Sequence, residues 1–209
     1  MSTVKYPRTY HLPWSLGVTD DDKVLTDLSS FAGRRIIATK KVDGENTSMY
    51  RHSIHARSLD SRGGPDRDWV KQFWSTIAHD IPQDWRVCGE NLWAQHSIHY
   101  TDLPSYFLGF SVWNEMNVCL SWDDTLQYFT LLGIAPVEVI YDDIWDEKKI
   151  AALEKSLLKD KDEGYVIRLA DSFTYDDFKT SVAKFVRRNH VQTDKHWRLQ
   201  EFIPNELKK

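Results

Sequence analysis

The chain has 209 residues, with 27 Lys and Arg against 31 Asp and Glu and a formal net charge of −4. That length suits one domain with its own core. The slightly acidic balance argues against a non-specific nucleic-acid coat, which would be basic, but leaves room for an enzyme with a local basic site. The two cysteines, Cys88 and Cys119, lack any zinc-ligand spacing, no apolar run reaches membrane-spanning length, and no apolar leader follows Met1. These features predict a soluble cytoplasmic protein with reduced core cysteines and no membrane partner.

In chain order, the polar, Pro-bearing stretch to about residue 32 is expected to wrap the domain. Residues 35–42, Arg-Ile-Ile-Ala-Thr-Lys-Lys-Val, read as a β-branched strand that ends at an Asp43-Gly44 turn. Short strands follow at 47–51 and 53–57. Over 66–81, Trp69, Val70, Phe73, Trp74 and Ile77 recur at helical spacing, a stripe that belongs to the core rather than to a cofactor box. Further strands are predicted at 85–93, 106–113 and 117–122. Ser121 and Asp124 resemble a capping box that opens a helix running to Gly133. A strand at 135–141 precedes a third helix, capped by Asp146, that turns Ile150, Leu153 and Leu157 inward. Strands at 164–169 and 182–187 close the set. Many strands with a few separated helices predict an α+β fold with antiparallel sheets flanked by helices, not a doubly wound one. The tetrapeptide His-Ser-Ile-His occurs at 52–55 and 96–99 in different contexts and is read as coincidence. Its histidines are core or surface residues, because a zinc site needs more converging ligands.

Candidate chemistry begins at Lys41-Val-Asp43-Gly44-Glu-Asn46. A lysine becomes a nucleophile when burial or neighbouring cations lower its pKa, and Lys40 and Arg35 are the nearby cations the sequence offers. Taken alone, these residues describe a hairpin turn with a surface lysine. They are followed, however, by Arg57 in His-Ala-Arg-Ser, by Cys88-Gly-Glu90-Asn-Leu, and by the aromatic run Tyr106-Phe-Leu-Gly-Phe110-Ser. Glu163-Gly164 and the basic strand Val182-Ala-Lys184-Phe-Val-Arg187 come last. Each has a plain structural explanation, as a surface carboxylate, a core aromatic or a solvated basic face.

Their order carries the signal. Lys-x-Asp-Gly, Gly-Glu, an aromatic strand, Glu-Gly and a final lysine strand resemble motifs I, III, IIIa, IV and V of the covalent nucleotidyltransferases, over roughly residues 35–190. Within that superfamily the chain is most similar to ATP-dependent RNA ligases of the nick-sealing, double-strand type. Residues 188–197, Arg-Asn-His-Val-Gln-Thr-Asp-Lys-His-Trp, resemble the tail of bacterial and phage members, which implies the cytoplasm of a bacterial or phage-infected cell.

The resemblance implies an ATP-grasp-like nucleotidyltransferase domain over 1–209, without an appended OB-fold domain, and a three-step reaction. A lysine takes AMP from ATP, the AMP moves to a 5′-phosphate, and a 3′-hydroxyl displaces it. Lys41 is the implied nucleophile. Asp43 and Asn46 shape the lysine and the phosphate or metal environment. Arg57 binds the ribose or the 5′-phosphate, Glu90 the AMP ribose, and Phe110 stacks on adenine. Glu163 holds Mg²⁺ or Mn²⁺, and Lys184 neutralises phosphate. The partner implied is nicked or annealed duplex RNA, with DNA or a hybrid as the alternative, and a minimal DNA ligase or a non-catalytic end-binding module as competing functions. Three positions depart from the pattern. Val186 replaces a second lysine, for which Arg187 or Arg188 would compensate; Ser111 follows Phe110; and Lys40 precedes the nucleophile where glutamate is common, leaving Thr39 and backbone groups to read adenine.

Overall fold

The computed structural model describes residues 3–59, 64–158, 161–188 and 203–209. The tail resemblance at 189–197 lies outside this set.

Among the described residues, twelve strands form two sheets. The first has the order β1 (Tyr10–His11), β12 (Val182–Val186), β10 (Gly164–Leu169), β2 (Arg35–Lys41), β9 (Val139–Ile144). The second runs β11 (Phe173–Thr174), β7 (Val118–Cys119), β6 (Phe107–Trp113), β5 (Arg86–Asn91), β3 (Glu45–Tyr50), β4 (Ile54–Ala56), with β8 (Ala135–Pro136) alongside β6. All neighbours are antiparallel except β1 with β12 and β6 with β8. The α+β reading therefore holds.

The β-branched run of β2 makes it an interior strand buried on both faces. Ile36 and Ala38 point into one apolar cluster and Ile37 into another, and all three are fully buried. This is the period-2 alternation of a covered strand. The first cluster also takes Cys88 and Trp113 from the second sheet, so one core joins the two.

The three predicted helices form, with shorter regular cores. The first is α1 (Asp68–Ile77), flanked by 3₁₀ turns at Pro65–Arg67 and Ala78–Asp80. Its aromatic stripe packs on Met49, Val87, Phe107 and Val112 of the second sheet, as core. The second, α2 (Trp122–Leu132), is capped by Ser121, whose Oγ accepts from the Asp124 amide, and stops at Gly133 in the left-handed region (φ 65°). The third, α3 (Glu147–Ala152), starts where Asp146 accepts from the Lys149 amide. Periodicity missed β1, β11 and a single turn α4 (Phe178–Ser181), all too short to show a period. The predicted strand at 135–141 divides into β8 and β9 around Val137 and Glu138.

The opening segment does wrap the domain. Tyr10–His11 pairs with Ala183–Lys184, and residues 11–25 fold back on themselves through His11–Lys23 and Leu25–His11 backbone bonds. Cys88 and Cys119 are buried free thiols. Among the described residues no helix is long and apolar enough to cross a membrane.

Candidate active site

The two sheets enclose a cleft of about 570 Å³. Register explains which side chains reach it. Thr39, Val166 and Lys184 stand opposite one another on β2, β10 and β12, so they form one row on one face. Two residues further along, Lys41, Gly164 and Val186 form the next row on that face. From the second sheet come Asn46, opposite Glu90, and Phe110, at the register shift between β5 and β6. Motif residues up to 145 positions apart in sequence thus converge because strand alternation points them all inward.

Lys41 ends β2 at the cleft. Its Nζ donates to Glu163 Oε2 at 2.5 Å, and the Lys41 carbonyl accepts the Glu163 amide. Burial alone pulls the ammonium down, but Glu163, Glu90 and Asp43 together outweigh it and hold the group above the ordinary lysine value. This corrects the expectation that Lys40 and Arg35 activate it as neighbouring cations. The Lys40 ammonium is held by Glu138 (3.0 Å) and Asp162 (3.6 Å). Arg35, at the far end of the strand, binds Asp123 and Asp142. The charge next to Lys41 is negative, supplied chiefly by Glu163 at the start of the neighbouring strand β10.

The turn after Lys41 is tightly docked. Asp43 Oδ2 accepts from the Ser97 and Ile98 amides (2.7 and 3.2 Å), and the Asp43 amide donates to the Tyr100 hydroxyl (2.9 Å). A Cβ on Gly44 would stand 2.5 Å from the Asn91 carbonyl oxygen, so glycine is required for that approach. Asp43 therefore braces the loop rather than facing the cleft. Glu90 is pushed up to about 8, chiefly by burial, against the pull of Lys41. Asn46 Oδ1 is buried with no hydrogen-bond partner among the described residues.

Phe110 is half-buried on the cleft wall, and Tyr6 from the opening segment meets it edge-on at 5.3 Å. Thr39 is buried at the same cleft, and the exposed Arg57 stands at its mouth, with its amide bonded to the Asn46 carbonyl. Lys184 lies 3.6 Å from Asp22, which also meets His11 Nε2 at 3.3 Å. Burial pulls the Lys184 ammonium below its ordinary value, Asp22 opposes this, and Lys41 adds to it. Arg187 is not brought to the cleft wall: its Nε donates to the Asp162 carbonyl at 2.5 Å. The departure at Val186 has a packing reason. Its backbone is bonded by Ser15, Leu16 and Gly17 of the wrapping segment, and its side chain is buried. Ser111 is buried and accepts from the Trp113 indole.

Sequence reasoning missed Tyr6, Asp22 and the ion pair of Arg67 with Glu45, all at the cleft. Arg67 donates twice to the Glu45 carboxylate, at 2.6 Å each. None of these carries a local signal, because each reaches the cleft only through tertiary contact. His96 also lines the cleft, but no group of three or more potential metal ligands occurs among the described residues.

Two facing, mostly antiparallel sheets thus hold a strand-end lysine among carboxylates in one cleft. A model of the RNA ligase family matches residues 34–186, and the chain belongs to that family. No curated protein matches it in sequence. Among solved structures it resembles an archaeal ATP-dependent RNA ligase (14% identity, TM-score 0.57, covering 88% of this chain and 48% of that one). It also resembles an Aquifex aeolicus protein provisionally described as an ATP-dependent DNA ligase (19%, 0.57, 88% and 50%). A third is a Naegleria gruberi RNA ligase mutant with ATP and Mn (12%, 0.53, 92% and 63%). The chain spans about half the length of the first two structures.

Proposed function

We propose that this chain is an ATP-dependent RNA ligase that carries AMP on Lys41. The observation that carries the reading is the Lys41 amine at the cleft, bonded to Glu163 and sharing one face with Lys184, with Phe110 on the facing sheet. Family membership supports the class of reaction.

In the first step the Lys41 ammonium gives up its proton to solvent, Nζ bonds the α-phosphorus of ATP as the bond to pyrophosphate breaks, and the second proton this bond displaces also passes to solvent. An oxygen of a strand's 5′-phosphate then takes the AMP from nitrogen. Finally a 3′-hydroxyl, losing its proton, attacks the phosphorus of that 5′-phosphate, and the bond to AMP breaks so that AMP leaves. Such chemistry asks the protein mainly for positioning and positive charge. In this reading Phe110, Tyr6 and Thr39, all on the cleft wall, serve the adenine, Glu90 the ribose, and Lys184 the phosphates. Arg57 at the cleft mouth meets the ribose or the strand's 5′-phosphate. Lys40 contributes its backbone, its ammonium being tied to Glu138 and Asp162. Asp43 supports the turn. Arg187 acts only indirectly, through the Asp162–Glu163 backbone.

The residues present fit Mg²⁺ or Mn²⁺ as ATP brings it. Such an ion takes hard oxygens, one or two from protein and the rest from phosphates and water. Glu163 offers a carboxylate, and Asn46 Oδ1 is an oxygen without a protein partner among the described residues. When bound, the ion supplies charge neutralisation on the phosphates.

The nucleic acid proposed is nicked or annealed duplex RNA. The test is incubation with labelled ATP and Mg²⁺, then mass mapping and sealing of nicked RNA, DNA and hybrid duplexes. Label on wild type and none on Lys41→Ala is expected, with RNA sealed fastest. Full label on Lys41→Ala overturns the nucleophile. End binding without AMP transfer supports a non-catalytic module, and a preference for all-DNA duplex supports a DNA ligase.

A further inference from the structure

The last described segment, residues 203–209, lies far from Lys41 in sequence yet is built into the support of its turn. The loop between β5 and β6, residues 92–106, has no regular structure apart from isolated bridges, and many of its backbone groups are satisfied by this tail. The Gln95 amide donates to Ile203, the Asn205 amide to Trp93, the Glu206 amide to Tyr100, and the Lys208 amide to Leu103, at 2.8–3.0 Å. The centre is Asn205, which is 1% exposed. Its Nδ2 donates to the Leu92 carbonyl (2.7 Å) and the Ala94 carbonyl (3.3 Å), and its Oδ1 accepts from the Tyr100 amide (2.8 Å). One side chain thus ties both ends of the 92–100 loop. Buried backbone groups left without partners are costly, so the loop holds this shape only with the tail in place.

What the loop presents is the cradle of Asp43. The Ser97 and Ile98 amides lie between Ala94 and Tyr100, which Asn205 clamps, and these two amides and the Tyr100 hydroxyl all bond Asp43. Asp43 is two residues from Lys41 and opens the turn on which Gly44 touches Asn91 and Leu92.

We propose that Asn205 is a positioning residue for lysine adenylation: by ordering the 92–100 loop it fixes Asp43 and, through it, the approach of Lys41 to ATP. This rests on the ligase reading above. A remote group that displaces a reacting atom by about 1 Å can cost on the order of 100-fold in rate without touching substrate. The groups proposed to bind adenine and phosphate, Phe110 and Lys184, lie outside the relay, so the loss falls on the rate and not on ATP binding.

The test uses two variants of the full chain. Asn205→Asp keeps shape and acceptor but loses the donor to Leu92 and Ala94. Tyr100→Phe keeps the ring and removes the hydroxyl at the other end of the relay. In each, single-turnover adenylation at saturating ATP is expected to fall by roughly 10- to 100-fold, with half-saturating ATP changed by no more than about twofold. In Asn205→Asp, hydrogen exchange at the Ser97 and Ile98 amides is expected to quicken by about tenfold or more while β2 and β10 stay protected. Adenylation at the wild-type rate in both variants overturns the proposal. So does unaltered exchange at Ser97 and Ile98 in Asn205→Asp, or exchange quickened equally through β2 and β10, which marks general loss of structure. A wild-type chain that takes no AMP from ATP overturns the activity instead, and the exchange measurement still decides the relay.

Discussion

Glu90 makes the stability of this fold depend on pH in a direction that can be worked out. Burial raises its carboxyl from 4.5 to about 8, with Glu163 and Asp43 adding to the effect and Lys41 opposing it. A carboxyl held above its unfolded value binds more protons folded than unfolded. Its stabilising protonation is therefore fully present below about 4.5 and is lost as pH rises through about 8. At 1.36 kcal/mol per pH unit the full penalty is roughly 5 kcal/mol, of which about 4 falls between pH 5 and pH 9. That is a large share of the 5–15 kcal/mol typical of a domain. Glu90→Gln keeps the shape and removes the charge, so urea unfolding of both proteins at the two pH values isolates this group. The variant is expected to gain on wild type by up to about 4 kcal/mol as pH goes from 5 to 9, or ~1–2 M in urea midpoint. A stability difference that is the same at both pH values would refute the reasoning. It would mean that Glu90 is ionised in the folded cleft throughout, held charged by Lys41.

Three further outcomes follow from the packing. Arg67 and Glu45 are 8% and 12% exposed, so Arg67→Met takes a double hydrogen bond from a buried carboxylate and should cost about 3–5 kcal/mol, while Arg67→Met with Glu45→Leu should recover more than half of it. Differential scanning fluorimetry reads this as roughly 2–4 °C per kcal/mol, and a double variant as unstable as the single one argues against the pair. Ser121→Ala removes the cap bond to the Asp124 amide and should lower stability by about 1 kcal/mol; no loss would mean the cap is replaced by solvent. Tyr6→Ala should raise the ATP needed for half-maximal lysine labelling by about tenfold, since an aromatic wall is worth ~1.4 kcal/mol, and an unchanged value removes Tyr6 from the base site.

Much of the fold was legible along the chain because its signals are local. The Ile36–Ala38 run had to be a covered strand, the Trp69–Ile77 stripe an amphipathic helix, and Ser121, Gly133 and Asp146 mark helix ends through their own backbone bonds. The segments that were missed, Tyr10–His11, Phe173–Thr174 and Phe178–Ser181, are two to four residues long and exist only because a neighbour offers an edge or a surface.

The ordered residues Lys41, Glu90, Phe110, Glu163 and Lys184 could be picked out from sequence because the spacing of a resembling family is itself linear information. Sequence also determined the period-2 alternation that turns Thr39 and Lys41 to one face of β2. Only the tertiary structure decided what those faces meet. Electrostatics acts through space, so Lys41 answers to Glu163, 122 residues away, and not to Lys40 beside it, whose ammonium lies on Glu138 and Asp162. Val186 stands where a lysine was expected because the wrapping segment covers that position, and a covered charge would be costly. The support of Lys41 by Asn205 is likewise invisible in the chain, since it runs through a loop whose shape is set by a tail more than a hundred residues away.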